Sequence, residues 1–364
     1  MDDLEFENRK RDHIRLALDR RNQAEGLGGL DSLALPHEAL PDCDLKDVDL
    51  REPQLWGGLF YIAGMTAGHD RALEINAVLA ESAETRGWGF GVGSQRRDYE
   101  NWRGRGPQWD ETVDQWKAFA ERFHKLFYFG NLGITQIASD PNAAIDWAQT
   151  FVQVFKPQAM VVHLNALQEA IQKEGTPIFS GALESLRRWI EALPVPVIIK
   201  ETGCGFSRST LERLRSVAVS KALLAVDVSG LGGTHWGRIE AERNAMGRKS
   251  GDPLLRLQST FGNWGVSTAQ SVVNATSVFH ETPTEVWASG GIRTGVDAAK
   301  CVALGARRVG FAQPALAAAL QSRETLLEWM QAIEREMTIA LFCTGHRSAS
   351  RLRGVVRDEG IFVK

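Results

Sequence analysis

The stretch VWASGGIRTGVDAAKCVALGARRVGFAQ, residues Val286–Gln313, contains one complete structural period. It opens on a short apolar run, Val286–Ser289, and passes through a glycine-rich turn. A stripe of Val296, Ala299 and Ala303 follows at helical spacing and stops at Gly305, a glycine suited to the position just past a helix end. A second apolar run, Arg308–Ala312, completes the period. Short runs that are apolar almost throughout suit strands buried on both faces, and strand–helix–strand order implies parallel pairing.

The same period recurs upstream. Further strands are expected at Leu59–Ile62, Gly89–Gly93, Leu126–Phe129, Ala159–His163, Val195–Lys200 and Leu223–Val228. Ile75, Val78, Leu79 and Ala83 share a helical face after the first. Pro141 can open a helix after the third, with Asp140 as its cap. Eight such units predict a closed (β/α)8 TIM barrel, with an open doubly wound sheet as the alternative. Residues 1–50 form an N-terminal extension with a charged helix at about Asp2–Arg21. Residues 55–320 form the barrel core, and residues 321–364 add a helix carrying Leu326, Leu327, Met330 and Ile333, then a tail. The segment NWRGRGPQWD, Asn101–Asp110, is expected to be a long loop. No linker divides the chain, so residues 1–364 are expected to form a single domain.

Composition narrows the function. The chain has 364 residues, 43% hydrophobic, with a net charge of −3. That balance lacks the basic field of a nucleic-acid binder and points to a small-molecule partner. Cys43, Cys204, Cys301 and Cys343 are scattered, which fits neither a zinc site nor a disulfide framework. The charged N-terminus MDDLEFENRKRDH is no signal peptide, and no apolar run approaches the ~18 residues of a membrane span. A cytoplasmic protein is expected.

In a barrel, chemistry gathers where the strands end. Gly64, Met65 and Thr66 follow the first strand, Ser94 to Arg97 the second, and Asn131 the third. SGGIRTG after the seventh strand lets backbone N–H groups approach an anion, with Arg293 adding charge and the next helix its positive end. The alternative is a turn that is glycine-rich for geometry alone. GLGG after the sixth strand reads equally as an anion nest or a mobile loop, and it lacks dinucleotide-fingerprint spacing. Lys200 ends an apolar strand, so it either faces an electron-rich ring or phosphate or snorkels to solvent. His163, Asn165, Gln168 and Glu169 form the densest polar group of the chain, and Glu169 could hold Mg²⁺ with substrate phosphates. Arg9, Lys10 and His13 read by default as a solvated helix face. Arg96 and Arg97 are both anion candidates.

These runs together resemble the FMN-dependent type 2 isopentenyl-diphosphate isomerase family. The resemblance is carried by RK-x-x-H at Arg9–His13, HLNALQEAIQKEG (His163–Gly175), KETGCGFS (Lys200–Ser207), SGLGGTHW (Ser229–Trp236) and SGGIRTGVDAAKCVALGA (Ser289–Ala306). The shorter MTAG, GSQR and GNLG fall in order between them. The resemblance implies a barrel that uses FMN and Mg²⁺, with NADPH supplying the reducing power, to interconvert isopentenyl and dimethylallyl diphosphate in isoprenoid biosynthesis. It places FMN near Gly64, Met65, Thr66, Ser94, Asn131, Lys200, Ser229, Thr234, Gly290, Gly291, Arg293, Ala312 and Gln313. The prenyl diphosphate falls near Arg9, Lys10, His13, Ser94, Arg96, His163, Asn165 and Gln168. Gly93-Ser94-Gln95-Arg96 identifies Arg96, not Arg97, as the matching arginine. Gln168 matches the active-site glutamine and Glu169 the metal ligand. A homo-oligomer, tetramer or octamer, is also implied. Ala67, Cys204, His235 and the long Asn101–Asp110 segment depart from the pattern without removing a chemical group.

The reaction would be a 1,3-proton shift in an unactivated alkene. The Gln168 amide does not titrate usefully and Glu169 would be occupied by Mg²⁺. The proton is therefore expected to pass by way of reduced FMN, with Gln168 orienting substrate or flavin. Three competing readings are weaker. A hydroxy-acid oxidase or dehydrogenase would want a His–Arg pair near the seventh strand, and FGNWGVST (Phe261–Thr268) has neither. A relative of inosine-phosphate dehydrogenase would need a cysteine where Thr234 and His235 stand. A protein that only binds flavin or prenyl diphosphate would not need Gln168 and Glu169.

Overall fold

The computed structural model describes residues 12–52, 55–65, 72–105, 111–218, 223–246, 248 and 252–356. Eight strands follow one another: β1 (Phe60–Ile62), β2 (Gly89–Gly91), β3 (Tyr128–Gly133), β4 (Ala159–Leu164), β5 (Val197–Glu201), β6 (Leu223–Asp227), β7 (Glu285–Ala288) and β8 (Arg308–Phe311). Each pairs in parallel with its neighbour, and β8 pairs with β1 to close the barrel. The open-sheet alternative is thereby excluded.

Alternation along each strand builds two cores. Inward residues Tyr61, Phe129, Val161, Ile198, Ala225 and Trp287 fill the barrel. Space for these rings comes from glycines on the neighbouring strands. A Cβ on Gly91 would meet Phe129 at 2.4 Å, and one on Gly310 would meet Tyr61 at 2.2 Å. Outward residues pack against the helices. The helix Pro141–Phe155 starts as its sequence requires, with Pro141 in the first turn and the Asp140 side chain accepting the Ala143 N–H at 3.1 Å. Its face Ala144, Trp147, Ala148, Phe151, Val152 and Phe155 is buried. The C-terminal helix Arg323–Cys343 buries Leu326, Met330, Ile333 and Met337.

The structure departs from the sequence expectation in three places. The third strand was expected at Leu126–Phe129 but continues to Gly133, so Asn131 lies within it. Gly130 and Gly133 read as turn residues, yet they are needed for space: a Cβ on Gly130 would meet Met160 Sδ at 2.5 Å, and one on Gly133 would meet Gln136 Oε1 at 2.4 Å. Asn101–Arg105, expected as loop, belongs to the helix Arg96–Arg105. Buried Tyr99 and part-buried Trp102, three residues apart, give that helix an apolar face strong enough to override Gly104. Residues 106–110 lie outside the described residues. The N-terminal helix is seen over residues 12–18, and a 3-10 turn, Arg20–Asn22, follows it.

Candidate active site

Two residues beyond the barrel plug, the same inward register turns polar. On β3 to β6 the plug residues Phe129, Val161, Ile198 and Ala225 are followed at +2 by Asn131, His163, Lys200 and Asp227. Strand pairing sets these side by side, with Asn131 level with Val161, His163 with Lys200, and Lys200 with Asp227. Period-two alternation thus converts an apolar core into the floor of a cleft. The cleft's empty space, counted out to solvent, is about 1590 Å³.

Every described residue assigned to a site by the sequence lines this one cleft. Gly64 and Met65 enter from β1, Ser94 and Arg96 from β2, and Asn131 from β3. β4 supplies His163, Asn165, Gln168 and Glu169, and β5 supplies Lys200. Ser229 and Thr234 follow β6, Gly290, Gly291 and Arg293 follow β7, and Ala312 and Gln313 follow β8. Arg97 is not among the lining residues. Arg9, Lys10 and Thr66 lie outside the described residues.

Each floor side chain is held. Asn131 Nδ2 donates to the Val92 carbonyl at 3.2 Å, which leaves Oδ1 to accept from His163 Nδ1 at 2.8 Å. The Asn131 backbone is tied to Gln95 in both directions: its N–H donates to Gln95 Oε1 at 2.9 Å, and its carbonyl accepts the Gln95 N–H at 2.8 Å. Lys200 is half-buried and does not snorkel away; its Nζ donates to the Glu201 carbonyl at 2.7 Å and to Ser229 Oγ at 3.3 Å. Glu201 Oε2 accepts the N–H groups of Thr202, Gly203, Cys204 and Gly205, which shapes the loop after β5. Burial pushes the Glu201 carboxyl up to about 7 against those donors.

The helix Ala166–Ile171 carries the strand-four cluster. Asn165 Nδ2 donates to Glu169 Oε1 at 3.0 Å and lies 3.4 Å from Gln168 Oε1. Glu169 Oε2 accepts the Thr176 N–H at 2.7 Å. Gln168 Nε2 donates to Glu240 Oε1 at 3.2 Å. The same Glu240 oxygen is 2.8 Å from His13 Nε2, and Arg243 donates to Oε2 at 2.6 Å. Burial alone would raise the Glu240 carboxyl, but His13 and Arg243 outweigh it and hold it at about 2. His13 is 7% exposed and meets the Trp236 ring edge-on at 5.1 Å, so the solvated-face expectation fails for it. Spacing gave no hint of Glu240, which sits in a helix, Trp236–Ala245, without a motif of its own. A charged residue within reach of His13 becomes visible only once the N-terminal helix is docked.

The glycine runs pack closely against each other. Gly290 has φ +100°, and a Cβ there would lie 2.2 Å from the Gly230 carbonyl oxygen; Gly233 would strike the Gly291 N–H at 2.5 Å. Arg293 donates to the carbonyls of Gly291 at 2.8 Å and Gly232 at 3.2 Å, which locks the two runs together. The N-terminus of the helix Gly295–Ala303, expected to face an anion, is instead satisfied by Thr294, Asp297 and Glu336. The glycine run itself and the start of the helix Gln313–Ala319 line the cleft.

A sequence profile for FMN-dependent dehydrogenases matches residues 264–357. The isopentenyl-diphosphate delta-isomerase of Legionella pneumophila strain Corby is 45% identical over 353 residues, 96% of this chain and 97% of its own. That of Bdellovibrio bacteriovorus is 42% identical over 356 residues, 96% of each chain. The chain belongs to the type 2, FMN-dependent isopentenyl-diphosphate delta-isomerase family. The Synechocystis member is 38% identical over 353 residues, covering 96% of this chain and 95% of its own. Among solved structures, mandelate oxidase with (S)-2-phenylpropionate superposes with TM-score 0.60 at 16% identity, covering 97% and 96% of the two chains. A mutant flavocytochrome b2 with benzoylformate gives 0.60 at 13%, covering 92% and 77%. At such identities the likeness shows the shared barrel and nothing finer. No described helix is long and apolar enough to cross a membrane.

Proposed function

We propose that this protein interconverts isopentenyl and dimethylallyl diphosphate by a 1,3-allylic proton shift, using reduced FMN and Mg²⁺, with NADPH as reductant, in isoprenoid biosynthesis. The observation that carries this reading is the clamp on Gln168, whose amide lies between Asn165 and Glu240 at the edge of a cleft floored by Lys200 and His163.

The residues present suit the groups the reading requires. The cleft draws its lining from the ends of all eight strands. Its Lys200 ammonium, its serine hydroxyls at Ser94, Ser229 and Ser289, and its packed glycine backbone match a flavin ring and phosphate. For Mg²⁺ the oxygen set is Glu169 with Asn165, whose Oδ1 is buried without a hydrogen-bond partner. Among the described residues no three acidic, His or Cys side chains cluster for a metal. A hard cation here would take its remaining ligands from the diphosphate and water.

Ser94, Arg96, His13 and His163 surround the place for the diphosphate, joined in this reading by Arg9 and Lys10. Reduced FMN, when bound, supplies the acid–base group that an amide cannot be. Gln168 then has an orienting role: with both ends of its amide engaged, it presents one fixed edge to the alkene. The N-terminal helix contributes Ile14 and Ala17 to the lining and narrows water's access to the reacting carbons.

The test is direct. The purified protein is reduced anaerobically with NADPH and given isopentenyl diphosphate and Mg²⁺. Formation of the dimethylallyl isomer is expected, with Gln168→Ala lowering kcat by about 10²-fold. Absence of product under those conditions would leave a binding protein, and an unimpaired Gln168→Ala would remove Gln168 from the scheme.

A further inference from the structure

One acidic group buried just beneath the cleft lining has no part in the roles above. Asp227 ends β6, is 1% exposed, and lies level with Lys200 of β5 and Trp287 of β7. A single oxygen, Oδ1, accepts both the Ser289 hydroxyl at 2.6 Å and the Ser229 backbone N–H at 3.2 Å. Its charge is felt further down the barrel. Burial first, and Asp227 next, hold the Tyr61 phenol well above its ordinary value.

Ser229 is the reason such an anchor is needed. It sits at φ +35°, a left-handed backbone that costs a residue with a Cβ free energy a glycine would not lose. The strained turn serves both neighbours. Its carbonyl accepts the N–H groups of Gly203 at 2.9 Å and Gly205 at 3.2 Å, and its hydroxyl accepts Lys200 Nζ at 3.3 Å. On the other side, the Gly230 N–H donates to the Ser289 carbonyl at 2.9 Å. The loops after β5, β6 and β7 therefore meet at the two groups that Asp227 holds.

We propose that Asp227 is a positioning residue of the flavin site. Its buried carboxylate holds the Ser289 hydroxyl and the left-handed Ser229 turn, whose own hydroxyl accepts the Lys200 ammonium, and places a negative charge beneath the ring. The inference rests on the reading that FMN occupies this end of the cleft.

Two full-length variants test it. Asp227→Asn keeps the shape and an acceptor oxygen but removes the charge; Asp227→Ala removes the anchor. FMN affinity is measured by quenching of flavin fluorescence on deflavinated protein, and the midpoint potential of bound flavin by anaerobic reductive titration. Asp227→Asn is expected to bind FMN within about threefold of wild type and to raise the potential, because reduced flavin no longer faces that charge. Asp227→Ala is expected to weaken FMN binding about tenfold or more. A merely structural role would lower the melting temperature and leave the potential unmoved. A wild-type potential in Asp227→Asn, or wild-type FMN affinity in Asp227→Ala, overturns the proposal. Should Asp227→Ala not fold, the Asp227→Asn potential decides alone. Wild-type protein that fails to take up FMN would refute the underlying reading instead.

Discussion

At the scale of single residues, the cleft depends on a few side chains that do two jobs. Glu240 is the clearest: it is fully buried, orients the Gln168 amide, and anchors the N-terminal helix through His13. Among the described residues, the groups facing it include His13, Gln168 and Arg243, and Arg243 is shared with Glu174 at 3.2 Å. Removing one partner of a buried charge pair leaves the others uncompensated, so Glu240→Gln should destabilise by about 3 kcal/mol or more. A folded-state carboxyl depressed from 4.5 to about 2 contributes stability that is present above the ordinary value and lost as pH falls through the lower one. The difference in urea stability between wild type and Glu240→Gln should thus shrink as pH falls from about 4.5 towards 2. A difference that instead vanished between pH 7 and 5 would assign the effect to another group. Turnover of Glu240→Gln should fall by about 10²-fold with the loosening of Gln168.

At the scale of elements, strand–helix alternation was legible because buried parallel strands have to be apolar on both faces. The Val286–Gln313 period reads in sequence down to its Gly305 stop, except that Val296, expected in the helix's apolar stripe, is 42% exposed, while Ala298, Cys301 and Val302 share the buried face with Ala299 and Ala303. The polar strand ends were legible too, since Lys200 after Val197–Ile199 has no apolar reason to be there. What could not be read were features decided by space across the chain. Gly130 and Gly133 look like turn formers, but they are strand residues whose missing side chains admit Met160 and Gln136. Glu240 and Asp227 carry no local signature, because their partners His13 and Ser289 lie 227 and 62 residues away. The helix Arg96–Arg105 was hidden by Gly104, and it offers a test. Gly104 is exposed and a Cβ there would meet nothing within 4 Å. Gly104→Ala should therefore stabilise the protein by about 0.5–1 kcal/mol, seen as a higher urea midpoint. Gly290→Ala should do the reverse and yield protein that folds poorly or takes up no FMN, since its Cβ has nowhere to go at φ +100°.

At the scale of the whole molecule, the barrel and the N-terminal extension are stabilised in different ways. The barrel closes on itself around an inner core, and a larger outer core lies between its strands and the helices. The later part of the extension joins that outer core through Leu30 and Leu33, whereas its first part, residues 12–24, has a small cluster of its own, Leu16 and Ala17 against Ile239 with Trp236 alongside, and only Ile14 and Leu18 reach the main core. Hydrogen bonds complete the docking: Ala24 N–H to the Gly233 carbonyl at 2.7 Å, His235 N–H to the Asn22 carbonyl at 2.9 Å, and Arg238 to the Gln23 carbonyl at 2.7 Å. So few apolar contacts place this segment, residues 12–24, at the low-stability end of the molecule, where local opening precedes global unfolding. Its contacts fall on the loop and helix after β6, which also supply Thr234 and Glu240 to the site. Removing residues 1–24 should therefore leave a folded barrel that still binds FMN, because the floor at Asn131, Lys200, Ser229 and Ser289 does not depend on them. Turnover should drop by at least about 10²-fold, because His13 is gone and Glu240 no longer holds Gln168 against a docked helix. Circular dichroism and FMN titration check the first half and the isomerase assay the second. A truncated protein that lost FMN together with activity would mean the extension supports the flavin floor as well, and the division between scaffold and cover would fall elsewhere along the chain.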